Sequence, residues 1–180
     1  MKEYICKIAS IDEVITKWNY EIRKQKRKQK KSALELVKNN AVENIKNGQA
    51  VIYYGKLNDK IICQATAMFD EDIIQNSDGL VGTQTVYLCN FSTDKKHQGK
   101  GYGFETCQVL INKLFEKTDY EYIAYNAYKY NKASIALAKK LGASYIGCKS
   151  TFDMLKKSEV SNETKTEAEQ FDKMLYRIYR

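Results

Sequence analysis

The chain has 180 residues, of which 43% are hydrophobic and 29% charged, and a formal net charge of +8. That composition suits one water-soluble domain with a proper core; no run is apolar enough to span a bilayer, and "MKEYICKIAS" lacks the apolar centre of a secretory leader. A cytoplasmic protein is expected, with its five scattered cysteines reduced, and the single histidine, His97, argues against a zinc site.

In chain order, residues 3–9 ("EYICKIA") alternate as an edge strand does. Ser10 with Glu13 three residues on forms a capping-box pattern, and Ile15, Trp18 and Ile22 then recur at helical spacing. The run "RKQKRKQKK" follows, in which Arg23, Lys24, Lys26, Arg27, Lys28, Lys30 and Lys31 place seven positive charges with no acid among them. Without those seven the chain would carry only +1, so its basic character is local. The run reads either as a solvated helix face or helix connection, or as an attractor for nucleic acid or cofactor phosphates.

A second helix is expected over "SALELVKNNAVENIKNG", with Leu34, Val37, Val42 and Ile45 as its apolar stripe and Gly48 as its stop. Three strand-like segments come next, "AVIYYGKL", "KIICQATAMF" and "TQTVYLCNFST", the first two joined by the hairpin signal "NDK".

The stretch "TDKKHQGKGYGFETCQVL", residues 93–110, sets Gly99, Gly101 and Gly103 just ahead of an amphipathic run. Glycines leave backbone N–H groups unshielded, and a helix start adds positive partial charge, so this stretch can cradle a phosphate. It can equally be a tight turn into the helix. Phe104 and Glu105 stand where a Walker-type loop needs Lys-Ser/Thr, and Thr106 stands where a dinucleotide fingerprint needs its last glycine. Neither nucleotide motif fits.

Phe104, Cys107, Leu110, Ile111, Leu114 and Phe115 mark a helix, "YEYIAYNA" a strand, and "NKASIALAKKLG" a short helix between Asn131 and Gly142. "SYIGCKSTF" and "KMLYRIYR" read as strands on either side of a polar excursion at about residues 156–170. The order β-α-α-β-β-β-α-β-α-β-β predicts an α/β fold, a mixed sheet with helices on both faces, as a single domain over residues 1–180.

"QGKGYG", from Gln98 to Gly103, resembles the acyl-CoA motif of the GNAT superfamily of N-acyltransferases, and "NKASIALAKKLGA" resembles that family's second motif. The second motif is most similar to the type that acetylates ribosomal-protein N-termini. The resemblance implies a mixed, mostly antiparallel central sheet of about seven strands. It also implies an acetyl-CoA-dependent N-acetyltransferase. Within it, the coenzyme A diphosphate would sit on Gln98, Gly99, Lys100, Gly101, Tyr102 and Gly103, aided by the cationic Lys95 and Lys96. The pantetheine arm would pair with the main chain of Phe91, Ser92 and Thr93, and Asn131 would reach the cofactor while also capping its helix.

Amine acylation needs a neutral amine, although an alkyl ammonium has a pKa of about 10.4, and a proton for the departing thiolate. Many family members carry a tyrosine seven positions after the motif asparagine, where this chain has Ala138. Ser134 is the candidate general acid that the resemblance offers, or else only a first-turn helix serine, with Tyr128 and Tyr130 as substitutes. Strand 84–93 offers no carboxylate as base. Asp70, Glu71, Asp72 and Asp78 are the candidates to bind a cationic amine or take its proton, or else simply a polar hairpin tip.

The expected acceptor is a primary amine, cationic in the balance of these charges, on a small molecule or peptide, and the expected state is a monomer or homodimer. Three rival readings stand beside it: a non-catalytic CoA-binding or interaction domain, and acetylation of an RNA-borne or of a protein N-terminal amine.

Overall fold

The computed structural model describes residues 3–69, 86–150 and 172–180. Among them run β1 (Tyr4–Ile8), α1 (Ile11–Arg23), α2 (Lys28–Lys46), β2 (Ala50–Leu57), β3 (Lys60–Met68) and β4 (Val86–Thr93). A 3₁₀ turn (Lys95–His97) leads to α3 (Tyr102–Lys117), β5 (Tyr122–Tyr128), α4 (Lys132–Lys140), β6 (Ser144–Lys149) and β7 (Lys173–Tyr179). The seven strands are ordered β1-β2-β3-β4-β5-β7-β6. This is the mixed α/β fold that the element order predicts. The polar excursion near residues 156–170 and the acidic segment holding Asp70, Glu71, Asp72 and Asp78 lie outside the described residues.

Contacts divide the chain into two compact units, Met1–Phe69 with Asn90–Thr106, and Asp70–Cys89 with Cys107–Arg180. In the first, β1 and β2 pair antiparallel, as do β2 and β3. The β2–β3 turn is Asn58-Asp59, with φ of 48° and 64°. Two successive left-handed residues make a type I′ turn, whose twist matches the strands it joins. Helix α1 starts with the full capping box: Ser10 Oγ accepts from Glu13 N–H, and the Glu13 carboxylate accepts from Ser10 N–H. Its Val14 is buried with Ala9, Ile52 and Tyr54, and Trp18, Ala41, Val42, Ile45 and Ile61 pack against that cluster.

Helix α2 begins at Lys28, four residues before the expected Ser32, so the basic run closes α1, links the helices and opens α2. Its start has no side-chain cap, and lysines occupy a first turn where the helix dipole favours acids. Packing of the other end offsets this: Val42 and Ile45 join the core, whereas Leu36 and Val37 stay exposed. Of the expected apolar stripe, Leu34, Val42 and Ile45 are half-buried and Val37 is exposed.

In the second unit, β4 runs parallel to β5 over Val86–Leu88. Strand β7 pairs antiparallel with both β5 and β6. Leu88, Leu110, Ile123, Tyr125 and Ala138 are among its fully buried or nearly buried side chains. No helix among the described residues is long and apolar enough to cross a membrane.

Candidate active site

Strand β4 does not stay regular to its end. Asn90 has φ of 52°, a left-handed residue inside a strand, and the parallel pairing to β5 ends two residues earlier, at Leu88. Beyond it, Asp94 N–H donates to Ile62 O at 2.8 Å and Thr93 Oγ1 lies 3.4 Å from Cys63 Sγ. The chain then turns through Lys95–His97 into the glycine stretch.

There, Gly99 and Gly101 have φ of 74° and 89°, a region that side chains disfavour, and a Cβ on either would meet nothing within 4 Å. Their surroundings are open. Gly103, in the first turn of α3, has ordinary backbone angles, but a Cβ there would come 2.9 Å from Thr93 Oγ1. Gly101 is the last residue before α3, and its carbonyl accepts from Glu105 N–H at 3.0 Å. The first N–H groups of a helix have no acceptor within the helix, and here the residue at the cap has no side chain to supply one.

Two sets of bonds hold this cradle in place. Gln98 Nε2 donates to Thr93 O at 3.0 Å, closing the turn on itself. Tyr4 Oη donates to Tyr102 O at 2.9 Å and lies 2.5 Å from Thr106 Oγ1, tying the start of α3 to β1. Thr106 is fully buried, and burial of Tyr4 raises its phenol above the ordinary tyrosine range. Gly55 is required here, because a Cβ would fall 2.1 Å from Tyr4 Oη. Lys95, Lys96 and Lys100 are exposed, and the His97 ring meets Tyr102 edge-on at 6.1 Å between centroids.

A cavity of about 430 Å³ opens in the same unit. Its walls include Phe91, Ser92 and Thr93 of β4, the expected pantetheine strand, with Trp18, Val37 and Ile61 as apolar surface. Lys17, Glu21, Gln64 and Asp94 bring the polar groups. Desolvation pulls the Lys17 ammonium below the ordinary lysine range, against the weaker opposing pull of Glu21 and Asp94. Sequence reasoning missed these four. The available signal was Gln64, a glutamine inside the otherwise apolar β3.

In the second unit, Asn131 caps α4: its Oδ1 accepts from Ser134 N–H at 3.0 Å. The Ser134 hydroxyl is hydrogen-bonded to the buried Tyr125 hydroxyl, which also donates to Ser134 O at 2.9 Å. Burial pushes the Tyr125 phenol up to about 12, so it stays protonated near neutrality. Tyr128 and Tyr130 are exposed and stacked on each other at 5.5 Å between centroids. Ala138 is fully buried, so a tyrosine ring at this position would have to displace the core.

Residues 14–143 match the model of the "Acetyltransferase (GNAT) family". The chain belongs to that family. It is accordingly an acetyltransferase by family, and no curated protein sequence matches it. Among solved structures, the ribosomal-protein-S18-alanine N-acetyltransferase of Escherichia coli is 13% identical with a TM-score of 0.63, over 98% of this chain and 94% of that one. The ribosomal-protein-S5-alanine acetyltransferase of Vibrio fischeri is 19% identical with a TM-score of 0.65, over 99% of this chain and 94% of that one. The microcin C7 self-immunity acetyltransferase MccE, solved with acetyl-CoA and AMP, is 16% identical with a TM-score of 0.64, over 99% and 93%. At these identities the likeness is one of fold, and the GNAT fold is what the sheet and helix order display.

Proposed function

We propose that this chain transfers the acetyl group of acetyl-CoA to a primary amine, and that the amine is cationic before it reacts. The observation that carries the reading is the glycine cradle: two left-handed glycines with open space around them, the second of them the residue directly before α3, which carries no side chain. Backbone N–H groups at such a start favour an anion, and the coenzyme A diphosphate fits that chemistry. When bound, acetyl-CoA supplies a thioester whose acyl carbon an amine attacks.

The residues of the chain then have separable roles. Residues 98–103 hold the diphosphate, with Gln98 bracing the loop through Thr93. The main chain of Phe91, Ser92 and Thr93 pairs with the pantetheine arm, and the left-handed Asn90 leaves those residues out of the parallel pairing to β5. Asn131 contributes to cofactor binding and caps α4. Ser134 protonates the thiolate as the carbon–sulfur bond breaks and the carbon–nitrogen bond forms, with Tyr128 and Tyr130 as its substitutes. Asp70, Glu71, Asp72 and Asp78 draw the cationic amine and take up the proton it loses before it attacks, and the cavity carboxylates Glu21 and Asp94 support the same preference.

The test is a calorimetric titration with acetyl-CoA, followed by a transfer screen against small amines, polyamines and peptide N-termini. Saturable binding and transfer to at least one cationic amine are expected. Binding without transfer to any amine would favour a non-catalytic CoA-binding domain, and no binding would remove the cofactor assignment.

A further inference from the structure

We infer that Lys17 forms an anion subsite in the cavity, so that the acceptor carries a carboxylate as well as its amine. The inference rests on reading this cavity as the acceptor side of an acetyltransferase, and it adds a substrate class to that reading.

Lys17 lies on α1 over the cross-strand pair Tyr54–Gln64 of β2 and β3. Its Nζ donates to Gln64 Oε1 at 2.5 Å and stands 5.0 Å from the centre of the Tyr54 ring. An ammonium has three donors. Only one meets an acceptor among the described residues, and no carboxylate there lies within ion-pair distance of it. Gln64 and Tyr54 are buried and neutral, so the charge is half-withdrawn from water with no opposite charge in contact. A cation in that position is costly unless something pairs with it.

Two unspent N–H donors side by side match the two oxygens of a carboxylate. The rest of the lining fits the remainder of such a molecule. Trp18, Val37, Ile61 and Phe91 give it an apolar wall, and Glu21 and Asp94 give its amine a counter-charge. An amino-acid-like acceptor with an apolar side chain satisfies all three. Lysine here is a specificity residue: a neutral side chain of the same length would keep the wall and lose the anion.

The experiment titrates the full chain by calorimetry with hydrocinnamate and with its neutral amide, in native protein and in Lys17→Met. Charge-assisted hydrogen bonds should make the carboxylate bind at least about tenfold more tightly than the amide in the native chain. In Lys17→Met the difference should shrink to within about twofold. Equal binding of the two probes by the native chain, or binding of neither, overturns the subsite without any variant. A preference that survives in Lys17→Met, with circular dichroism unchanged, overturns the role of Lys17. Acetyl-CoA titrated into the same native sample reports separately: if it binds while hydrocinnamate shows no advantage, the acetyltransferase reading stands and the subsite fails.

Discussion

Helices α1 and α3 begin in opposite ways within the same unit. At the start of α1, Ser10 and Glu13 exchange hydrogen bonds with each other's backbone, so side chains of the chain itself satisfy the N–H groups of Ser10 and Glu13. At the start of α3 the capping position is Gly101, which has no side chain, and the neighbouring glycine at 99 leaves the approach open. The first arrangement completes a helix. The second supplies no side chain of its own at that position, and we propose that the coenzyme A diphosphate sits at this positive end. Helix α4 is intermediate, because Asn131 caps it as Ser10 caps α1, yet we also propose that Asn131 reaches the cofactor.

The contrast breaks first at the glycines. Valine at Gly101 must adopt a φ of 89°, and valine at Gly103 must push Thr93 aside. Either change should lower acetyl-CoA affinity by at least about 100-fold in calorimetry, with helix content retained. Ser134→Ala should lower kcat by about 100-fold while acetyl-CoA affinity stays within about twofold, because a general acid acts only in the transition state. Equal losses in kcat and affinity would turn Ser134 into a binding residue, and no loss in kcat would leave it as the partner of Tyr125 alone.

Asn131→Ala should cost about 1 kcal/mol of stability, a fall of roughly 2–4 °C in Tm, together with a loss of acetyl-CoA affinity. A stability loss with unchanged affinity would place α4 with α1 as a purely self-capped helix. The smallest effect belongs to α1. The Lys56 ammonium and the Ser10 N–H hold the Glu13 carboxyl below the ordinary range. A depressed carboxyl contributes stability that is complete above about pH 5 and is lost as pH falls through the lower folded value. Thermal melts of Glu13→Gln should therefore lose part of that acid dependence, with acetyl-CoA affinity unchanged at neutral pH.

Much of this was legible in the sequence, for local reasons. The α1 capping box, the Asn58-Asp59 turn and the Asn131 cap each depend on a few neighbouring residues, and each forms as its pattern predicts. Helix α2 starts earlier than its pattern indicates because polar lysines carry no periodic signal, and only the packing of Val42 and Ile45 shows how the helix is held. The cavity was not legible at all. Lys17, Gln64 and Asp94 come from α1, β3 and the end of β4, and nothing in their spacing announces that they meet. Nor does spacing reveal that the Ser134 hydroxyl is already bonded to Tyr125, nine residues upstream on β5.

We propose that the open helix start, and not the closed one, receives the cofactor. Amide chemical shifts recorded as coenzyme A is added to the ¹⁵N-labelled chain test it most directly. The N–H signals of Gly99, Gly101, Tyr102 and Gly103 should move most, in the direction of stronger hydrogen bonding, while those of Ile11, Asp12 and Glu13 stay still. Coenzyme A binding that leaves the glycine amides unmoved would contradict the account.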